Sequence, residues 1–235
     1  MSTAVAWPAE RLTAICARIA VAAEQAGRTS ESITLIGVSK LQTAAAVAAL
    51  ADLGQKDFGE NYLQEALEKI ESLRSRALTW HFIGQLQANK TRPIAENFDW
   101  VHTVDRLKIA TRLAEQRPVH VPPLSVCVQV KLGDEATKGG VIPAELPELL
   151  AAIAALPRLR LRGLMALPPA ESTLDRQRYW FAELRLLFEA ARQRHPTLDT
   201  LSMGMSSDLE AAILEGATQV RIGNALFGER LQSLA

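Results

Sequence analysis

Residues 33–43, ITLIGVSKLQT, run through an apolar, strand-like segment and then meet a lysine at position 40. The turn after this strand decides the fold. An open, doubly wound α/β sheet that binds a dinucleotide carries a G-x-G-x-x-G turn after its first strand. Here the chain passes from Lys40 into the helical stretch TAAAVAALADLG (43–54) with no such glycine pattern. Lysine is almost never fully buried without a partner. Lys40 therefore either snorkels off a rim into water or has something to meet.

Working outward, seven more runs share the character of the first: DFGEN (57–61), LTWHFIG (78–84), WVHTVD (100–105), LSVCVQVK (124–131), LRGLMAL (161–167), TLSMGMS (200–206) and QVRIGNA (219–225). Between them lie segments with helical spacing, among them YLQEALEKIESLRSR (62–76), DRLKIATRLAEQR (105–117), AELPELLAAIAAL (144–156) and DRQRYWFAELRLLFEAARQR (175–194). Thr43, Asp105, Pro143 and Asp175 stand where helices can begin, and Gly54 where one can end. Tyr179, Trp180, Phe181 and Phe188 read as the barrel-facing side of their helix. Strand followed by helix, repeated, requires parallel strands joined by crossovers. Eight such units in about 200 residues fit a closed (β/α)8 TIM barrel. A helix over residues 8–26 precedes the barrel and either plugs its floor or flanks its wall. The last strand is followed by FGERLQSLA alone, so the eighth helix is short or missing. The chain is expected to be a single α/β domain over residues 1–235, with the N-terminal helix in residues 1–30 and the barrel in residues 33–228.

Composition narrows the classes of function. With 26 basic and 26 acidic residues the formal net charge is zero, which argues against a surface built to neutralise a nucleic-acid backbone. Cys16 and Cys127 are far apart, without metal-ligand spacing, and such sparse usage fits a reducing compartment. Glu10, Arg11, Arg18 and Glu24 interrupt any signal-peptide core or membrane span at the start of the chain. A cytoplasmic protein with no nucleic-acid or membrane partner is the expectation.

In a barrel of this kind the chemistry sits at the C-terminal ends of the strands. Lys40, Glu60 and Asn61, His81 and Gln85, Thr103 and Asp105, Lys131, Met165, Ser206 to Asp208, and Arg221 with Gly223 and Asn224 all fall at or near those ends. The stretch SMGMSSDLEAAILEG (202–216) passes from strand to helix through small hydroxyl residues, so Ser206 or Ser207 can cap the helix beside an anion. Gly223 after the eighth strand adds close backbone approach, and the loops after strands seven and eight are the usual phosphate position in barrels. A partly desolvated lysine near a phosphate site offers a nucleophilic amine for a carbonyl. An aldehyde together with a phosphate suggests pyridoxal 5′-phosphate, with Arg221 as partner of the pyridine nitrogen. A Schiff-base aldolase is the alternative within this logic, although such enzymes carry their lysine on a later strand.

The blocks LIGVSK, DFGENYLQEALEK, WHFIGQLQANK, VHTVDR, LRGLMALP, LSMGMSSDLEAAI and GATQVRIGNALFG, spread in order over residues 33–228, resemble the pyridoxal phosphate homeostasis protein family, whose barrel is similar to the N-terminal domain of alanine racemase. The resemblance implies a Schiff base on Lys40 and a phosphate cradle from Ser206, Gly223 and Asn224. It implies Arg221 beside the pyridine nitrogen and Asn61 and His81 as polar residues of the cofactor pocket. The sequence departs from the family at Lys131, where asparagine is more usual; Asp134 and Glu135 are its candidate partners.

Arginine is a permanent cation, so a pyridine nitrogen beside it is left unprotonated and the cofactor becomes a poorer electron sink. In racemases the opposite face of the site is completed by a second domain and subunit, and no such domain is expected here. The expectation is a monomeric carrier that buffers pyridoxal phosphate or delivers it to dependent apoenzymes, with no established turnover. The alternatives are an amino-acid racemase or lyase that uses Lys40 as base, and an interaction module that has lost its cofactor.

Overall fold

The computed structural model describes residues 6–133 and 139–228. Within them β1 (Thr34–Val38), β2 (Asp57–Glu60), β3 (Thr79–Phe82), β4 (Trp100–Val104), β5 (Leu124–Gln129), β6 (Leu159–Met165), β7 (Thr200–Ser202) and β8 (Gln219–Ile222) pair in parallel, each with the next. β8 returns to β1 through the register Thr34↔Gln219 to Gly37↔Ile222 and closes the barrel. Glycine is required where β6 meets β7, because a Cβ on Gly163 would lie 1.7 Å from the Thr200 carbonyl oxygen.

The crossovers are α2 (Ala44–Asp52), α3 (Leu63–Ser72), α4 (Thr91–Asn97), α5 (Leu107–Gln116), α6 (Leu146–Ala154), α7 (Leu174–Arg192) and α8 (Leu209–Leu214). Thr43 caps α2 by accepting from the Ala46 N–H. In α5 the buried residues Ile109, Ala110, Leu113 and Ala114 recur at helical spacing and form the face turned to the sheet. Together with Leu50, Ile94, Leu150 and Phe181 of other helices they pack on strand residues such as Phe58, Val101 and Val126. Each Ile, Leu, Val or Phe among them, fully buried, contributes about 1.5–3 kcal/mol, and each alanine less. On α7 the aromatic residues divide: Phe181 and Phe188 are buried, whereas Tyr179 is exposed and so leaves the barrel-facing set. Its position two residues before Phe181 turns it to the other side of a helix with a 3.6-residue period.

The N-terminal helix α1 (Ala6–Gln25) flanks the wall. Its buried residues Ile15, Ile19, Ala22 and Ala23 repeat at helical spacing, and the helix packs against α8, α2 and α9 (Asn224–Phe227). Because α9 has only four residues, α1 covers much of the surface an eighth outer helix would cover. Arg18 fastens it with two bonds to the Glu210 carboxylate at 2.7 and 2.9 Å and a third to the Ser206 carbonyl at 3.0 Å. At the barrel floor the Arg162 guanidinium lies over the Trp100 ring at 4.6 Å and grips Asp199 with two bonds of 2.8 and 2.7 Å. Among the described residues no helix is long and apolar enough to cross a membrane.

Candidate functional site

A cavity of about 410 Å³ opens at the C-terminal ends of the strands. Lys40, Asn61, Ser206, Arg221, Gly223 and Asn224 all line it, joined by Ser207 and by apolar walls from Val38, Ile83, Met165, Leu167 and Met205. Six of the seven residues singled out from the sequence thus share one space. The seventh, His81, does not line it.

Lys40 lies two residues past the end of β1, half-buried, and among the described residues its ammonium has neither an ion pair nor a hydrogen bond. Its neighbours are held firmly. The buried Ser39 donates its hydroxyl to Glu60 Oε1 at 2.6 Å, and its carbonyl accepts from Lys69 Nζ at 2.6 Å. Lys69 Nζ also reaches Glu60 Oε1 at 2.7 Å and Glu65 Oε1 at 2.5 Å. On the other side, Leu41 adopts a left-handed φ of 59°, rare for a non-glycine residue, and its N–H donates to the same Glu65 oxygen at 2.6 Å. Burial raises the Glu60 carboxyl above its ordinary range, against the pull of Lys69 and Ser39. Sequence reasoning missed Lys69, which in QEALEK looks like a solvent-facing partner of Glu65 at i, i+4 spacing. The available signal was Glu60, a carboxylate ending a strand with buried neighbours and therefore in need of a cation.

Asn61 comes directly after β2, and its side-chain oxygen is buried without a hydrogen-bond partner among the described residues. Its backbone approaches β3 so closely that a Cβ on Gly84 would stand 2.1 Å from the Asn61 carbonyl oxygen. Gly84 is in turn fixed by the Thr103 hydroxyl, which donates to its carbonyl at 2.6 Å.

Arg221, the third residue of β8, is 4% exposed. Its Nη1 donates to the Ser202 hydroxyl oxygen at 2.7 Å and its Nη2 to the Ala166 carbonyl at 3.1 Å. Burial pushes the guanidinium down to about 10, which leaves it a cation at neutral pH. The helix α8 begins differently from the sequence expectation: its N-cap is Asp208, not Ser206 or Ser207. Asp208 Oδ1 accepts from the Met205 N–H at 2.6 Å and closes the turn that carries the two serines. The Asp208 side chain makes no bond to an α8 N–H, being spent on this turn, and both serines line the cavity.

His81 lies elsewhere. The sequence puts it beside the end of β3 and the resemblance implies a pocket residue; in the structure β3 continues through Phe82, and the imidazole is fully buried in the barrel interior, away from the cavity lining. It stacks on Trp100 at 5.6 Å, with Nε2 3.0 Å from Asp57 Oδ1 and Nδ1 2.9 Å from His102 Nε2. Lys131 lies just past β5, half-buried, its backbone N–H bonded to the Val141 carbonyl at 2.9 Å. Its candidate partners Asp134 and Glu135 lie outside the described residues.

The family model described as alanine racemase, N-terminal domain, matches residues 11–231 and so spans every residue of the cavity. The pyridoxal phosphate homeostasis protein of Pseudomonas aeruginosa is 56% identical over 222 residues, covering 94% of this chain and 95% of that protein. The protein of the same name from Escherichia coli K12 is 52% identical over 225 residues, covering 94% and 96%. The chain belongs to the pyridoxal phosphate homeostasis protein family. Among solved structures, PipY of Synechococcus elongatus without PLP is 38% identical, with a TM-score of 0.84 over 94% of this chain and 99% of that one. The structure of PipY with PLP bound is 39% identical, with a TM-score of 0.79 over 89% and 100%. In this member of the pyridoxal phosphate homeostasis protein family, the Ser39–Glu60–Lys69 cluster anchors the lysine, Gly84 seats Asn61, and Asp208 shapes the serine turn.

Proposed function

We propose that the chain binds pyridoxal 5′-phosphate in this cavity, covalently on Lys40, and serves the homeostasis of that cofactor with no substrate turned over. The observation that carries the reading is a lysine amine without a partner among the described residues, in the same cavity as a buried arginine, two serine hydroxyls and an orphaned asparagine oxygen. These residues fit the group. Lys40 supplies the amine, Arg221 a donor for an acceptor ring nitrogen, and Ser206, Gly223 and Asn224 the surroundings of a phosphate, while Asn61 offers an acceptor on the facing side. When bound, pyridoxal phosphate supplies an aldehyde that condenses reversibly with a primary amine and releases one water.

Arg221 does two things here. It donates an N–H into the site, and it keeps its proton on its own nitrogen, so an acceptor beside it gains no positive charge. That supports holding the cofactor rather than withdrawing electrons through it. The names of the relatives and the PLP-bound PipY support the same reading. Because the amine sits at an open mouth, another amine can reach the bound aldehyde, which permits transfer to dependent apoenzymes in the cytoplasm. The carrier acts as a monomer, one barrel domain to one cofactor.

The test is direct. Purified protein given pyridoxal phosphate develops an absorption band near the visible edge that borohydride removes, leaving a mass increment on the peptide carrying Lys40. Lys40→Ala shows neither. No uptake even with excess cofactor would favour an interaction module instead. Exchange of the α-hydrogen of L-amino acids for deuterium, lost in Lys40→Ala, would overturn the carrier reading in favour of a racemase or lyase.

A further inference from the structure

Five side chains from five strands cross the barrel interior in one hydrogen-bonded line. Asp57 of β2 meets His81 of β3 at 3.0 Å, and His81 meets His102 of β4 at 2.9 Å. His102 Nδ1 lies 2.8 Å from the hydroxyl of Ser202 of β7, which accepts from Arg221 of β8 at 2.7 Å. His81, His102 and Ser202 are fully buried, and Arg221 nearly so. Asp57, the first residue of its strand, reaches the solvent at the floor, with its side chain 26% exposed. The line thus joins the closed end of the barrel to the candidate site.

The chemistry of the two ends, with one proton on each ring, fixes the direction of every bond between them. Arginine only donates and a carboxylate only accepts. Ser202 Oγ accepts from Arg221 Nη1 and has a second lone pair, so the Asp57 end decides: it takes the Nε2–H of His81, and with one proton per ring His102 must donate from Nε2 and take the Ser202 hydrogen at Nδ1. His102 then carries its proton on Nε2 and gives it to His81 Nδ1. His81 in turn carries its proton on Nε2 and donates to Asp57 Oδ1. In this pattern each ring carries its proton on Nε2, and each interior member gives one hydrogen and receives one. Burial, with His81 and Arg221 close by, holds the His102 imidazole well below its ordinary range, which suits a neutral link.

We propose that Asp57, His81 and His102 form a positioning relay that fixes the Ser202 hydroxyl as acceptor for Arg221 and so holds the guanidinium in register with the cavity. A serine hydroxyl alone rotates freely and can turn its hydrogen toward the arginine. With His102 Nδ1 taking that hydrogen, a lone pair always faces Nη1. The guanidinium is then tethered from below through Nη1 and from the side through the Ala166 carbonyl, leaving its further N–H groups for the cavity it lines. The effect on cofactor rests on the functional reading above; the tautomer pattern does not.

Two measurements test the relay. The first is 15N NMR at pH 8 of histidine-labelled protein carrying His120→Gln and His195→Gln, which leaves only His81 and His102. Both rings are expected as Nε2–H tautomers; a proton on Nδ1 of either would overturn the relay. The second is cofactor binding in folded variants. Ser202→Ala is expected to weaken pyridoxal phosphate binding about tenfold, about 1.4 kcal/mol, and to shift the absorption of the bound cofactor, with Ser202→Thr restoring both. Wild-type affinity and spectrum in Ser202→Ala would sink the proposal. Should that variant not fold, Asp57→Ala at the floor reads the same coupling: a loss of affinity is expected, with recovery in Asp57→Asn, which keeps an oxygen for His81. Unchanged affinity in Asp57→Ala counts against the relay. If the wild-type chain takes up no cofactor, the functional reading falls, and the tautomers alone decide.

Discussion

Lys69 is a buried cation whose ammonium is fully occupied, with one bond to the Ser39 carbonyl and one to each of two carboxylates. Removing the cation leaves Glu60 as a buried charge without its partner, and breaking a buried pair from one side costs about 3–5 kcal/mol. Lys69→Met is therefore expected to lose about that much stability in urea unfolding, with Glu60→Gln in the same chain recovering part of it. The variant also releases the carbonyl of Ser39, so the register of Lys40 loosens with it. Residue by residue, the reactive groups at the mouth were legible because polar residues after apolar runs stand out. Lys69 was not, since its one-turn spacing from Glu65 satisfies an ordinary surface pattern. The interior place of His81 was hidden for a related reason: the end of a strand cannot be fixed to one residue from sequence, and a single step moves a side chain from the rim to the interior.

At the scale of elements, α1 is held by an apolar stripe and by the Arg18–Glu210 pair. The hydrogen bonds from Arg18 hold the Glu210 carboxyl below its ordinary value. Because the folded value is the lower one, the pair contributes stability above the unfolded carboxylate value and loses it as pH falls through the folded one. The pair is more than a third exposed, so its contribution is at most about 1 kcal/mol. Glu210→Gln is expected to lower the unfolding free energy by this small amount at pH 7, with the difference from wild type closing below about pH 4. All eight strands and the N-terminal helix were legible, because apolar runs separated by helical spacing recur too often for another arrangement. Their ends were not: LSVCVQVK and TLSMGMS stay strand-like beyond Gln129 and Ser202, where the ladder stops. Past those points single backbone bonds to the neighbouring strands persist, from Val130 N–H to the Met165 carbonyl at 2.8 Å and from Met203 N–H to the Gln219 carbonyl at 3.1 Å, before the chain turns at Gly204 with a φ of 94° to form the mouth.

At the scale of the whole molecule, the interior departs from the usual branched aliphatic filling of such barrels. His81, His102, Cys127, Ser202 and Arg221 are all buried. Polar residues alternating with apolar ones in a strand normally mark a solvated face, so the interior line could not be seen from any single strand and emerged only on closure. Burial raises the Cys127 thiol to about 12, whereas Cys16 is exposed. A maleimide at neutral pH is expected to modify one thiol per native chain, at Cys16, and two after denaturation. Rapid modification of Cys127 in the native protein would mean that the interior opens more readily than its packing implies.

The directed line from Arg221 to Asp57 also constrains how the chain can change over generations. Each interior member has one bond on either side, so exchanging His102 or Ser202 for an apolar residue orphans two buried neighbours, and exchanging His81 orphans one, at about 1–3 kcal/mol for each group left unsatisfied. Replacing all of them together by well-packed apolar residues leaves no orphan. Single-step mutational paths away from this interior therefore run uphill, and the concerted exchange does not.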